Sequence, residues 1–191
     1  CNNYPLVDYI CSFKKPIILS TGMNDIKSIK KSVRIIEKHK IQYALMHTTN
    51  LYPTPHKLVR LNAINELKET FPKAVIGLSD HTGDNITSMA AIAMGASLIE
   101  KHFIDHKKRK GPDILASIDK IQLKELIDSS KKLFLAMPGK RIPIKQEKKT
   151  IKFAFASVVA IKDILKGEKF SKDNMWVKRP GTGDFLAEKF Y

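Results

Sequence analysis

The 191-residue chain has only two cysteines, Cys1 and Cys11. So few exclude a disulfide framework, their spacing matches no metal motif, and such usage is expected of a reducing cytoplasm. Long apolar runs are missing too. A membrane-spanning helix needs about 20 consecutive apolar residues, whereas the longest candidates, 89–99 and 153–161, are broken by Gly95 or too short. Cys1-Asn2-Asn3-Tyr4 has neither a cationic n-region nor an apolar h-region, so it does not read as a signal peptide. The start also lacks a Met and opens in structured-looking sequence, from which a piece of a longer protein is expected. Glycine and proline, nine of each, are too few for low complexity. With 43% apolar and 28% charged residues, the composition suits one buried core, or one core plus a small appended module.

Acidic residues and arginine are the other shortages. Nineteen acidic against 34 basic side chains leave a formal charge of +15, yet only five of the 34 are Arg and the other 29 are Lys. Nucleic-acid readers use Arg on base edges and aromatics for stacking. Here Lys is scattered over most of the chain, and the densest run, Lys107-Lys108-Arg109-Lys110, contains no aromatic. The charge therefore reads chiefly as a solvated surface whose positive field also steers small anions. A nucleic-acid or polyanion binder stays as the alternative of a different class. It requires a contiguous basic face and steeply salt-dependent affinity. Neither nucleic acid nor membrane is the expected partner.

What the chain does have is rhythm. Pro16–Leu19, Tyr43–Met46, Ala74–Leu78 and Ser97–Glu100 are short apolar runs, the last reaching His102. Each is followed by an amphipathic segment. The first carries Ile26, Ile29, Val33 and Ile36 on one face behind Asn24 as cap, and the second carries Leu58, Leu61, Ile64, Leu67 and Phe71 and stops at Pro72. The third begins at Asp84 and runs through Met94, and the fourth spans about 118–137 with Leu123, Leu126, Ile127, Leu133 and Phe134 inward. Four consecutive strand–helix units with continuously apolar strands predict a parallel sheet covered on both faces. Polar residues stand at the C-terminal end of every predicted strand, as in a barrel mouth, whereas an open doubly wound sheet concentrates them at one switch point. No Gly-x-Gly-x-x-Gly or Walker loop occurs. The fold expected is α/β, a partial (β/α)8 TIM barrel of about four units over residues 1–137. A charged, aperiodic linker is expected over 138–152, then a small β-rich module over 153–191, with strands near 153–161 and 175–177 and a turn at Lys166-Gly167.

His81 and His102 lie one strand–helix step apart at equivalent strand ends, so their imidazoles are candidates to share one divalent cation with open positions. Glu100, two residues before His102, faces the same side of its strand. Hydrogen-bonded core histidines would produce the same spacing. Ser20, Thr21, Asn50 and Ser79 offer neutral donors around the same mouth, although each also suits a cap or turn. Tyr52-Pro53-Thr54-Pro55 can wall a pocket or simply shape a turn, and Asp113 in Gly111-Pro112-Asp113 is either a ligand-facing carboxylate or a cap.

Six motifs then occur in order: Leu19-Ser20-Thr21-Gly22-Met23, Asn50-Leu51-Tyr52-Pro53-Thr54-Pro55, Gly77-Leu78-Ser79-Asp80-His81-Thr82, Glu100-Lys101-His102-Phe103, Gly111-Pro112-Asp113 and Lys178-Arg179-Pro180-Gly181-Thr182-Gly183. Together they resemble the bacterial sialic acid (N-acetylneuraminate) synthases over essentially the whole chain. The resemblance implies a (β/α)8 barrel joined to a C-terminal antifreeze-like (SAF) domain. It also implies condensation of phosphoenolpyruvate with N-acetylmannosamine, or a related amino sugar, with release of phosphate. On the family pattern His81 and His102 would hold Mn2+ or Mg2+, which polarises the sugar aldehyde while C3 of phosphoenolpyruvate attacks. Water then adds at C2 and phosphate leaves by C–O cleavage, with Glu100 handling a proton. Ser20, Asn50 and Ser79 would grip phosphoenolpyruvate, while Tyr52 and Asp113 face the sugar. Arg179, with Phe155 closing the pocket, would act on the N-acetyl side from the partner subunit of a domain-swapped homodimer. Thr49 and Ile114 depart from Cys and His in relatives. The early barrel strands, with a Glu and Lys residues for the substrates, are expected before Cys1, so the polypeptide alone is expected to be inactive. Legionaminate or pseudaminate synthesis from a diacetylated hexose is the nearest rival; Asn50 with Tyr52–Pro55, and Phe153-Ala154-Phe155-Ala156-Ser157, lean towards the neuraminate type.

Overall fold

A computed structural model describes residues 1–190 in two units, the first Cys1–Pro138 and the second from Gly139 onward. The first unit holds helix α1 (Tyr4–Ser12), strand β1 (Ile17–Ser20), helix α2 (Ile26–Lys38), strand β2 (Tyr43–Thr48) and helix α3 (Ala63–Thr70). It continues with β3 (Val75–Asp80), α4 (Ile86–Ala93), β4 (Leu98–Phe103), the two-residue β5 (Ser117–Ile118) and α5 (Lys120–Ala136). All five strands are parallel, in the order β1-β2-β3-β4-β5. This is a partial (β/α) barrel sheet with one strand more than the four predicted. β5 is too short to show a period of its own; it exists because Ser117 and Ile118 extend the pairing of His102 and Phe103.

Burial explains why the strands are apolar. Every residue of β2 is buried, since the strand has neighbours on both edges and packing on both faces. Leu45, Ile76 and Leu78 meet Ile29, Val33 and Ile36 of α2, Ile64 and Leu67 of α3, and Phe71 beyond it. Val7 and Cys11 bring α1 into the same core, a helix the sequence reading did not anticipate.

The element ends differ in instructive ways. Asp25, not Asn24, caps α2. Its extended backbone places the carboxylate to accept from the Ser28 N–H at 2.8 Å, while the Asn24 amide donates back to the Gly22 carbonyl. The segment expected to form one helix from Leu58 splits into a 3-10 turn at His56–Leu58 and α3, leaving Leu58 exposed. On α5 only Leu126 is buried; Ile127 and Phe134, expected inward, stand exposed over an apolar groove of about 1110 Å³ shared with Ile99 and Phe103.

In the second unit, the stretch expected as linker contains a 3-10 turn at Lys145–Glu147 and most of helix α6 (Lys148–Ala154). The Glu147 carboxylate accepts from the Ile144 N–H and starts the helix, so Phe153 is helical rather than the first residue of a strand. The strand is β6 (Ser157–Ala160), antiparallel to β7 (Met175–Lys178). Buried Ser157 ties the Arg179-Pro180-Gly181 loop to it, donating to the Pro180 carbonyl at 2.9 Å and accepting from the Gly183 N–H at 2.8 Å.

Candidate active site

Parallel strands deliver their C-terminal residues to one edge of the sheet, and alternation decides which of them face the mouth. On β3 and β4 that face carries Ser79, Glu100 and His102, with His81 one residue beyond β3. Ser79 and Glu100 are register partners, and the Ser79 hydroxyl donates to Glu100 Oε1 at 2.5 Å. A charge-assisted bond of this kind orients the carboxylate. The His81 and His102 rings lie 5.1 Å apart, centroid to centroid, and nearly perpendicular. Tyr52 completes an aromatic corner, 4.2 Å from His81 and 5.4 Å from His102. Asp113, from the loop before β5, brings Oδ2 to 3.8 Å from His102 Nδ1.

His81 Nδ1 lies 2.9 Å from the Thr49 carbonyl oxygen. A carbonyl only accepts, so Nδ1 carries the proton and the neutral ring keeps its lone pair on Nε2. A backbone carbonyl behind one ring nitrogen is the usual support of a metal-ligating imidazole. Among the described residues no three His, Cys, Asp or Glu side chains form a closed cage. The donor set is thus two adjacent imidazoles, suited to a cation whose remaining positions are open to ligand.

Ser20 ends β1 and Asn50 follows β2, so both stand at the same edge. Asn50 Oδ1 is buried without a donor, directly against Gly22, where a Cβ would come within 1.9 Å of it. Thr21 is buried and donates to the Met46 carbonyl, a structural role. Phe155 and Arg179 belong to the second unit, where the Gly181 backbone packs on Phe155. Three of the other four histidines have structural partners: His39 pairs with Asp8, His56 with Asp84, and His47 with the Val59 carbonyl. Burial pushes the His47 imidazole below its usual range. In the basic loop, Lys107 donates to the Ser117 carbonyl and Arg109 pairs with Asp105 at 3.0 Å.

Behind the mouth is a group that the sequence reading passed over. Asp80 and Lys101 are register partners buried on the helix-side face, with Nζ and Oδ2 3.1 Å apart. Burial alone would raise the Asp80 carboxyl. Donation from Ser88 and Thr87, the Lys101 ammonium and the Thr82 N–H outweigh it and hold the pKa below the usual value. For Lys101, burial lowers the pKa against the opposing pull of Asp80. The available signal was a charged residue immediately beside each histidine, at the same 21-residue spacing.

Parallel strands each followed by a helix, with polar side chains gathered at the strand ends and a small β-module beyond, define a partial (β/α) barrel coupled to an accessory domain. The chain belongs to the NeuB family, whose model matches residues 1–141, and residues 155–189 match the SAF domain. It is 40% identical over 185 residues to the N,N'-diacetyllegionaminic acid synthase of Campylobacter jejuni, covering 95% of this chain and 55% of that protein. It is 31% identical over 214 residues to the N-acetylneuraminate-9-phosphate synthase of Drosophila melanogaster, covering 99% and 58%. The crystal structure of N-acetylneuraminic acid synthetase from Leptospira borgpetersenii in complex with citrate superposes with a TM-score of 0.72 at 29% identity, over 78% of this chain and 52% of that one. The chain spans about half the length of the curated relatives it matches.

Proposed function

We propose that the protein containing this chain is a sugar acid synthase that condenses phosphoenolpyruvate with an N-acetylated amino sugar and releases phosphate. The observation that carries this reading is the pairing of His81 with His102 beside a Ser79-oriented Glu100 at neighbouring strand ends. The two imidazoles would hold a divalent cation, Mn2+ or Mg2+, through lone pairs of which that on His81 Nε2 is fixed by the Thr49 carbonyl. Bound there, such a cation supplies Lewis-acid polarisation of a carbonyl oxygen. Glu100 would hold or move a proton at the carbon that receives water, a role supported by the Ser79 bond that aims its carboxylate. Ser20, Asn50 and Ser79 present neutral hydrogen-bonding groups to phosphoenolpyruvate; Tyr52 and Asp113 border the sugar. Arg179 and Phe155 are assigned to the N-acetyl side on their motifs alone, in a homodimer of the complete protein. Two free thiols support a cytoplasmic location. No described helix is long and apolar enough to cross a membrane.

The sugar is read as N-acetylmannosamine from Asn50 and the Tyr52–Pro55 loop. A diacetylated hexose is the second reading, favoured by 40% identity to a diacetyllegionaminic acid synthase against 31% to a neuraminate-type one. Phosphate release by the full-length protein, given phosphoenolpyruvate, Mn2+ and each sugar in turn, tests both. Turnover with neither would overturn the assignment. The 191-residue polypeptide is expected to release none, because five parallel strands leave the sheet open where a closed barrel has eight.

A further inference from the structure

We propose that the buried Asp80–Lys101 pair is a positioning device, fixing β3 against β4 where those strands deliver His81 and His102 to the mouth. The use made of the histidines rests on the reading above; the geometry does not. Asp80 accepts four hydrogen bonds. Thr87 Oγ1 and Ser88 Oγ reach Oδ2 at 2.6 Å each, Lys101 Nζ reaches it at 3.1 Å, and the Thr82 N–H reaches Oδ1 at 2.9 Å. Lys101 Nζ also donates to the Thr82 carbonyl at 2.7 Å and to its hydroxyl at 3.3 Å. The Thr82 and Thr87 hydroxyls are 2.9 Å apart. One network therefore joins β3, β4, the turn after β3 and the first turn of α4. His81 lies between Asp80 and Thr82, both held by it, and His102 directly follows Lys101.

Stability does not account for this arrangement. Withdrawing two charges from water costs several kcal/mol per ion, and apolar replacements of buried pairs are often neutral or stabilising. The best-attested use of such a pair is to specify register, and here register has a consequence. A slip of one residue on a strand moves its side chains to the opposite face and takes a histidine out of the mouth.

The test uses the 191-residue chain with labelled histidines and no added metal. Nuclear Overhauser contacts between the His81 and His102 ring protons, and between His81 and Tyr52, are compared in wild type, Lys101→Arg and Asp80→Asn/Lys101→Met, alongside thermal unfolding. The double variant keeps hydrogen-bonding groups for Thr82, Thr87 and Ser88 but removes the salt link. It should remain folded and lose the ring–ring contacts several-fold, while Lys101→Arg retains them. Wild-type contact intensities in the double variant overturn the proposal. Should that variant fail to fold, Lys101→Gln, which removes only the ammonium from the pair, takes its place: weakened ring contacts support the device and unchanged ones overturn it. A separate Mn2+ titration distinguishes the two claims. Failure of the wild-type chain to bind Mn2+ at the histidines refutes the cation reading, while the metal-free ring contacts still decide this one.

Discussion

At its N-terminal edge the parallel sheet begins with Ile17, Tyr43, Val75 and Leu98, apolar side chains apart from the Tyr43 hydroxyl, which donates to Glu37 at 3.1 Å. At its C-terminal edge the same strands finish in Ser20, Thr48, Ser79-Asp80-His81 and Glu100-Lys101-His102, where almost every side chain is polar. One end thus carries apolar side chains and the other polar ones, and alternation divides the polar end again. Residues facing the mouth keep unsatisfied or open groups, such as His81 Nε2, whereas those facing the helices form a closed network around Asp80. The lesson is that a polar strand end is not uniformly functional. The face on which a polar residue lies decides whether it binds or supports.

Substitutions at the two ends should therefore separate stability from ligand binding. The largest stability loss is expected in the body of the sheet. Leu45→Ala, at a fully buried position on β2, should lower the unfolding free energy by about 2–5 kcal/mol in urea titration. A loss below about 1 kcal/mol would mean that the core is looser than described.

Next comes Tyr43, whose hydroxyl burial and the Glu37 hydrogen bond push up to about 12. The folded protein then holds a proton that the unfolded chain loses above about pH 10, so stability is retained below pH 10 and falls as pH rises towards 12. The loss relative to Tyr43→Phe should reach about 2 kcal/mol across that window. Parallel pH profiles for the two proteins would contradict it.

Gly22→Ala probes the boundary between the two roles. The new methyl collides with Asn50 Oδ1, so the Asn50 side-chain amide resonances should move and stability should drop by about 1–3 kcal/mol. An unmoved Asn50 would show that Gly22 does not set its position. The smallest stability effect is expected in the mouth itself. His102→Gln, at a ring about a third exposed, should shift stability by less than about 1 kcal/mol while abolishing Mn2+ binding, read by calorimetry. A large stability loss there would turn His102 into a core residue and remove the contrast between the two ends.

Much of this contrast was legible in the sequence, because apolar runs separated by helical periodicity are a strong signal. Leu45, Ile64, Leu78 and the nearness of His81 to His102 followed from it; the bond from Ser79 to Glu100 did not, because it depends on strand register. The short strand at Ser117-Ile118 was not legible, since two residues have no period and this strand is defined only by its pairing beside the end of β4. Helix α6 was hidden by the alternation of Phe153-Ala154-Phe155-Ala156, which imitates a strand until Glu147 is seen to begin a helix. Asp80 and Lys101 could not be paired from the sequence alone, because a buried charge pair leaves no periodic trace. Only strand register shows that two charges 21 residues apart meet.

On the proposed reading, the strand ends gather His81 and His102 into one cation site. Substoichiometric Mn2+ added to the histidine-labelled chain tests it directly, through paramagnetic broadening of imidazole signals. His81 and His102 should broaden together and first, ahead of His39, His47, His56 and His106. Broadening that begins at His56 or His106, or spreads evenly over all six, would contradict it.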